Sequence, residues 1–332
     1  MTQGQYAAFE LEFNTKKDNN MSKRIAMIFP GQGSQTIGMG KSFYENSDLA
    51  KEMFDKAGAR IGVDFKALLF EENEQINQTA YTQPAILLVS IIAYKLFQEK
   101  HNVKPTLLMG HSLGEITALC ASGAIDYVDA VELVHKRGTL MQAACDGIEA
   151  GMMAIVGLDD ASIETVCTDA RNKENKSIWP ANYNQDGQLV IAGIKPDLAS
   201  MEGAFKEAGA KRALLLNMSV ASHCPLLASA QAPLKVELER MLDKPFVAPV
   251  ISNVTAKPYE TKQQALELIA EQLVKPVLYK QSILAIKDDV DMAIEFGNGA
   301  LLKGMNRRIN KEMPTMNVND MDSLEKVIEA LS

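Results

Sequence analysis

The hexapeptide Gly110-His111-Ser112-Leu113-Gly114-Glu115 limits the fold of this chain more than any other stretch. It follows a short apolar run, Thr106-Leu107-Leu108-Met109, that reads as a buried strand. It leads into Ile116-Thr117-Ala118-Leu119-Cys120-Ala121, which reads as a helix ended by Gly123. A serine on a sharp strand-to-helix turn is pushed out of the backbone envelope. Glycines on either side let strand and helix close around it without a Cβ clash, and the first helical turn leaves free N–H groups beside the hydroxyl. Those donors, with the positive end of the helix dipole, favour negative charge developing on a bound acyl oxygen. The arrangement fits a nucleophile elbow, with a plain glycine-rich turn as the alternative.

The chain around this turn alternates strand and helix. Ile25-Ala26-Met27-Ile28-Phe29 is the continuous apolar run of a central strand buried on both faces, and it ends in the tight loop Pro30-Gly31-Gln32-Gly33-Ser34-Gln35. No G-K-[ST] follows and G-x-G-x-x-G is not completed, which argues against a phosphate loop. In a parallel sheet this loop would share one edge with Ser112. Helical patterns follow near 48–59 and 84–98, the second opened by Pro84. The apolar run from Ala85 to Phe97 is too short to span a bilayer and reads as a core helix.

After the elbow, the periodicity predicts a helix over 127–144 with Arg137 among Ala130, Val134 and Met141. A guanidinium on an apolar face needs a partner: a structural ion pair, a path by which the stem reaches water, or a carboxylate bound in a cleft. Residues 151–218 then read as strand 152–158, helix 160–171, strands 177–184 and 188–194, helix 197–208 and strand 213–218, the β-α-β-β-α-β order of a ferredoxin-like unit. The α/β pattern resumes with a helix near 226–242, a strand over 246–253, a helix over 263–274, a strand over 292–296 running into Gly297-Asn298-Gly299, a helix through Arg307-Arg308 and a closing helix over 323–331. His223 stands at the junction that follows the inserted unit. His101 and His135 look exposed and His111 is locked in the elbow, so His223 is the default base for Ser112.

Composition narrows the function classes. A net charge of −8 argues against a nucleic-acid binder, and the four cysteines lack C-x-x-C spacing, which favours a reduced, cytoplasmic setting over a disulfide framework. The four histidines form no H-E-x-x-H or H-x-H cluster, so no metal site is expected. Residues 1–20 hold no apolar segment of the kind a signal peptide needs. They read as a disordered extension before a more natural start at Met21-Ser22-Lys23-Arg24.

Five motifs in one order carry more than any of them alone: Pro30-Gly31-Gln32-Gly33-Ser34-Gln35, Gly110-His111-Ser112-Leu113-Gly114-Glu115, Arg137-Gly138, Ser222-His223, and Gln272 before Lys275-Pro276-Val277. Together they resemble the bacterial malonyl-CoA:acyl carrier protein transacylases over residues 23–332. The resemblance implies a large hydrolase-like α/β domain with a parallel-sheet core, discontinuous over 21–148 and 219–332, and a small ferredoxin-like domain over 149–218. It implies a malonyl group moved from malonyl-CoA to the phosphopantetheine thiol of acyl carrier protein, with no cofactor, metal, nucleic acid or membrane involved. By the same resemblance Ser112 is the nucleophile, His223 its base and Arg137 the grip on the malonyl carboxylate. Gln32 and Leu113 supply backbone N–H groups to the oxyanion, the main-chain carbonyl of Gln272 orients His223, His111 fills the elbow position, and Asn182 faces the cleft. Gly297-Asn298-Gly299 departs from the family's frequent Gly-Pro-Gly, and Val220-Ala221-Ser222-His223 varies where the choice of acyl group is influenced. Lys211, Arg212, Arg307, Arg308 and Lys311 are candidates for a basic surface that meets an acidic carrier protein. The rivals are a serine thioesterase or esterase built on the same elbow, and a non-catalytic docking module.

Overall fold

A computed structural model describes residues 23–332, so the readings of 1–20 and of a start at Met21 lie outside the described residues. The strands are β1 Ile25–Phe29, β2 Leu107–Gly110, β3 Ala150–Val156, β4 Ile178–Gln185, β5 Gln188–Ile194, β6 Arg212–Leu215, β7 Val250–Ile251, β8 Pro258–Tyr259, β9 Met292–Phe296 and β10 Thr315–Val318. The larger sheet runs β10-β9-β1-β2-β7-β8 and is parallel except for β8. Its central strands are apolar because both faces are covered. Met27 and Phe29 pack with the Thr79–Lys100 helix, while Ala26 and Ile28 pack with Tyr279, Ile283 and Leu302 on the opposite face. Phe29 pairs with Gly110 in parallel register, so the loop after β1 and the turn after β2 leave the sheet side by side.

The smaller sheet is antiparallel in the order β4-β5-β3-β6. One face buries Met153, Ile155, Leu189 and Ile191 under the Asp160–Glu174 helix and the pair Lys195–Ser200 and Glu202–Glu207; the sequence reads that pair as one helix. The other face turns Met152 and Val190 toward the large sheet. Edge strand β4 is joined to the larger unit through its backbone: Tyr183 N donates to Val277 O at 2.9 Å and Val277 N to Ala181 O at 2.8 Å. Lys280 adds ion pairs to Asp160 at 2.5 Å and Asp186 at 3.1 Å.

Three differences from the sequence reading have local causes. The apolar helix begins at Thr79, which places Pro84 inside it rather than at its start, and at 22 residues it is long and apolar enough to cross a membrane by composition. Most of it is buried in the protein core. Proline cannot donate to the carbonyl four residues back, and here the Ala80 carbonyl accepts from His135 Nδ1 at 2.8 Å instead. His135 is therefore half-buried and bonded, and His101 is also half-buried; neither is exposed. Third, the strand expected over 246–253 pairs only at Val250–Ile251, because past that point Asn253 meets β2 with its side chain instead of its backbone. The short helices Lys41–Asn46, Phe65–Phe70 and Tyr279–Ala285 and the strands β8 and β10 carry too little periodicity to read in advance.

Close approach at the elbow makes a sharp test. A Cβ on Gly114 would lie 2.0 Å from the Phe29 carbonyl oxygen, and one on Gly110 would lie 2.1 Å from the Gly114 carbonyl carbon, both rigid backbone. Gly114→Ala is expected to cost at least about 1–3 kcal/mol in urea unfolding. Gly304→Ala, in the Leu301–Ile309 helix with nothing near the new methyl, should stabilise by about 0.5–1 kcal/mol. Equal midpoints for the two variants would show that strand and helix do not pack this closely.

Candidate active site

Ser112 occupies the turn between β2 and the Leu113–Ala121 helix at φ 53° and ψ −105°, a conformation that a residue with a Cβ adopts only under constraint. Asn253 supplies the constraint. Its Oδ1 accepts from Ser112 N at 2.7 Å and its Nδ2 donates to Gly110 O at 2.7 Å, so one side chain replaces the strand partner the turn has lost. His223, itself at φ 62°, meets the serine from the far side of the chain: Ser112 Oγ and His223 Nε2 are 2.7 Å apart. His223 Nδ1 lies 2.7 Å from the Gln272 main-chain oxygen. A carbonyl only accepts, so Nδ1 carries the proton and Nε2 is left to accept from the serine hydroxyl. Burial, with the Arg137 charge beside it, pushes the imidazole down to about 3, so it is neutral near pH 7.

Arg137 is 1% exposed, on the inner face of the Tyr127–Ala144 helix. Its Nη1 donates to Gln83 Oε1 at 2.8 Å, and its Nη2 to Gln272 Oε1 at 2.9 Å and Ser112 Oγ at 3.2 Å. Two neutral amides thus hold the guanidinium in plane beside the Ser112 hydroxyl, and among the described residues no carboxylate reaches it as an ion pair. Its Nε is buried without a hydrogen-bond partner. A buried cation with a spare donor beside a hydroxyl can receive a planar anion. Burial lowers its pKa to about 10, which still leaves it charged.

Leu113 is the first residue of its helix, so its amide is one of the free N-terminal donors. In the loop after β1, Ser34 N bonds Gly31 O and Gly33 N bonds Gln35 Oε1, and the Gln32 amide takes part in neither bond. Asn298 pins this loop by donating to Ser34 O at 2.6 Å and Thr36 Oγ1 at 2.9 Å, two bonds a proline there would not make. His111 Nε2 donates to Asn184 Oδ1 at 2.8 Å, and burial lowers its pKa. Asn182 lines the cleft two residues earlier on β4, but its Oδ1 is buried and unbonded, so the strand's contact with the elbow is made by Asn184.

The structure therefore gathers Ser112, His223, Arg137, Gln32, Leu113, His111, Asn182 and Gln272 around one cleft. The sequence reading misses Gln83, Asn253 and Asn184, assigns Glu115 no task, and uses only the main chain of Gln272. Gln83 carried a faint signal, as a polar residue at the head of an otherwise apolar helix. The others became visible only when distant segments met. Replacing Asn253 by Ala leaves the Ser112 N–H and Gly110 C=O unpaired at about 1–3 kcal/mol each. Asn253→Ala should lower the urea midpoint and slow acylation of Ser112 together; full retention of both would show that the turn holds itself.

The same constellation sits on a chain with well-defined relatives. The family model described as "Acyl transferase domain" matches residues 26–323. The malonyl CoA-acyl carrier protein transacylase of Escherichia coli K12 is 38% identical over 309 residues, 92% of this chain and 99% of the relative. That of Bacillus subtilis 168 is 39% identical over 313 residues, 94% and 98% of the two chains. Among solved structures, the malonyl-CoA:acyl carrier protein transacylase of Helicobacter pylori superposes with a TM-score of 0.90 at 46% identity, covering 93% of this chain and 99% of its own. A malonyl-transacylase solved with a type II polyketide acyl-carrier protein gives 0.89 at 37%, covering 92% and 99%. The ordered motifs, the doubly connected sheet architecture and matches of this identity over nearly the whole length agree, and the chain belongs to the malonyl-CoA:acyl carrier protein transacylase family.

Proposed function

We propose that this chain moves a malonyl group from malonyl-CoA to the phosphopantetheine thiol of acyl carrier protein through an ester on Ser112, supplying fatty acid synthesis. The observation that carries this reading is the Ser112–His223 contact of 2.7 Å with a buried, carboxylate-free Arg137 3.2 Å from the same oxygen. Neutral His223 takes the serine proton as Oγ attacks the thioester carbonyl. The oxyanion rests between the Gln32 and Leu113 amides, a stabilisation of about 3–4 kcal/mol by comparison with similar sites. The Gln272 carbonyl steadies the imidazolium, which returns the proton to the departing thiolate. The carrier's thiol then runs the same steps in reverse. Arg137 receives the malonyl carboxylate on Nε and Nη2, and Gln83 and Gln272 hold its plane.

The strand order β4-β5-β3-β6 with its crossing helices supports a ferredoxin-like small domain over 149–218, set into a large domain made of 21–148 and 219–332. The cleft lies between them. His111 and Asn182, one from each side, would line the acyl path. Four buried free cysteines fit a reducing compartment, which we take to be the cytoplasm.

Incubation with malonyl-CoA should add one malonyl mass to the intact protein and nothing to Ser112→Ala. Arg137→Ala should lose malonyl transfer by about 100-fold or more, corresponding to about 3 kcal/mol of charge-assisted bonding, while keeping acetyl transfer. An unchanged malonyl preference in that variant would remove Arg137 from the scheme. Release of free malonate faster than transfer to carrier protein would mark a thioesterase instead.

The Leu301–Ile309 helix links cleft and surface. Leu301 and Met305 line the cleft, while Arg307, Arg308 and Lys311 surround a neighbouring recess with Asp186. Lys211 and Arg212 are exposed at the start of edge strand β6. An acidic carrier protein would dock along the first group, within reach of Ser112 for its prosthetic arm. Transfer to carrier protein should slow as salt rises, and Arg308→Glu should remove much of that dependence. A rate indifferent to salt would count against this surface.

A further inference from the structure

Glu115 is a buried carboxyl in the site to which the transfer scheme gives no task. It is 0% exposed; its Oε2 accepts from Asn253 N at 3.0 Å and Gln272 Nε2 at 2.6 Å, while its Oε1 is buried with no hydrogen-bond partner. The neighbouring Tyr259 hydroxyl on β8 is also buried and unpartnered, and it feels the Glu115 charge. The phenol O–H favours the ionised carboxylate, whereas burial, the larger effect, favours a proton on the unpartnered Oε1, so the group stands between its two states.

Arg137 supplies the other half of the argument. It reaches Glu115 only through the Gln272 amide, whose Oε1 accepts from Arg137 and whose Nε2 donates to Glu115. Before substrate arrives, one buried cation and one buried carboxylate balance across that amide. A malonyl carboxylate on Arg137 would leave a net negative charge in a closed interior, which is costly unless one anion is neutralised. The carboxylate already inside is the one that can be. We propose that malonylation of Ser112 draws a proton from solvent onto Glu115, which makes Glu115 a positioning residue coupled to the acyl group through Gln272.

The proposal rests on Arg137 binding the malonyl carboxylate. The charged and titratable groups facing Glu115 are Arg137 from the Tyr127–Ala144 helix and Tyr259 from β8, with His223 beyond the main chain of Gln272. Arg137 stays charged and Tyr259, raised well above its usual value, stays neutral. His223 is held neutral by burial, whereas burial lifts Glu115 to about 7, where a change of neighbouring charge alters its protonation. Protons balance simply: the serine proton leaves on the coenzyme A thiol by way of His223, and the added O–H bond on Oε1 comes from solvent. Departure of the malonyl group releases that proton again.

The test counts protons with an indicator dye in weak buffer at about pH 7.5–8 while stoichiometric malonyl-CoA acylates the full-length enzyme, with malonyl-serine counted by intact mass in the same sample. Wild type should take up a large fraction of one proton per malonyl-serine. Acetylation by acetyl-CoA, which brings no carboxylate, should take up none, and malonylated Glu115→Gln should take up none. Malonyl-serine without uptake, or undiminished uptake in Glu115→Gln, would overturn this proposal alone; no malonyl-serine at all would overturn the transfer reading and this proposal with it. Should Glu115→Gln fail to fold, wild type labelled with carbon-13 at its glutamate carboxyls gives the answer. One buried resonance should move from the carboxylate to the carboxyl position on malonylation, and resonances that all stay put would refute the proposal.

Discussion

Holding one guanidinium out of water beside a hydroxyl is the constraint around which the rest of this protein is arranged. A buried cation without an ionic partner is expensive, and Arg137 is accommodated by dispersing its donors over two amide oxygens and the nucleophile itself. Each support comes from a different segment: Gln83 from the long apolar helix, Gln272 from the end of the Lys262–Gln272 helix, and Ser112 from the turn after β2. The site therefore exists only when these three segments are brought together on the Tyr127–Ala144 helix.

Gln272 is the residue through which these supports meet. Its main-chain oxygen fixes the tautomer of His223, its side-chain oxygen takes a bond from Arg137, and its amide nitrogen reaches the Ser112 carbonyl at 3.0 Å and Glu115. His223, Arg137 and Ser112, the base, carboxylate receptor and nucleophile of the proposed scheme, are consequently referred to one residue at a helix terminus. Displacing it would disturb all three at once, and their contributions should be strongly non-additive.

The parts legible in the sequence were those with a local signature. The glycines around Ser112 announce a close approach that leaves no room for a Cβ, which would fall 2.0 Å and 2.1 Å from backbone atoms, and the apolar runs of β1 and β2 announce buried strands. The 127–144 periodicity puts Arg137 on an inward face. What stayed hidden depends on segments far apart in the chain. Asn253 acts on a turn 141 residues earlier in the chain, and its doing so is what shortens β7. Pro84 looked like a helix start because its cost is local, whereas the His135 bond that offsets it is not. Asn182 and Asn184 share one face of β4, so spacing alone could not say which would bond His111.

In the proposed scheme a carbonyl, rather than a carboxylate, orients His223, and the same electrostatics accounts for it. An aspartate bonded to His223 Nδ1 would make the imidazole a stronger base, but it would add a fixed negative charge to the pocket where Arg137 must attract another. At interior dielectric constants a second anion a few ångströms from the guanidinium would offset much of that attraction. The Gln272 carbonyl fixes the tautomer and steadies the imidazolium through its dipole while leaving the net charge of the pocket unchanged. In that scheme the weaker activation of the serine is offset by the Arg137 charge, which lies beside Ser112 Oγ and favours negative charge there. On the proposed reading, the demand for acid selectivity and the form of the Ser112–His223 pair are one electrostatic problem.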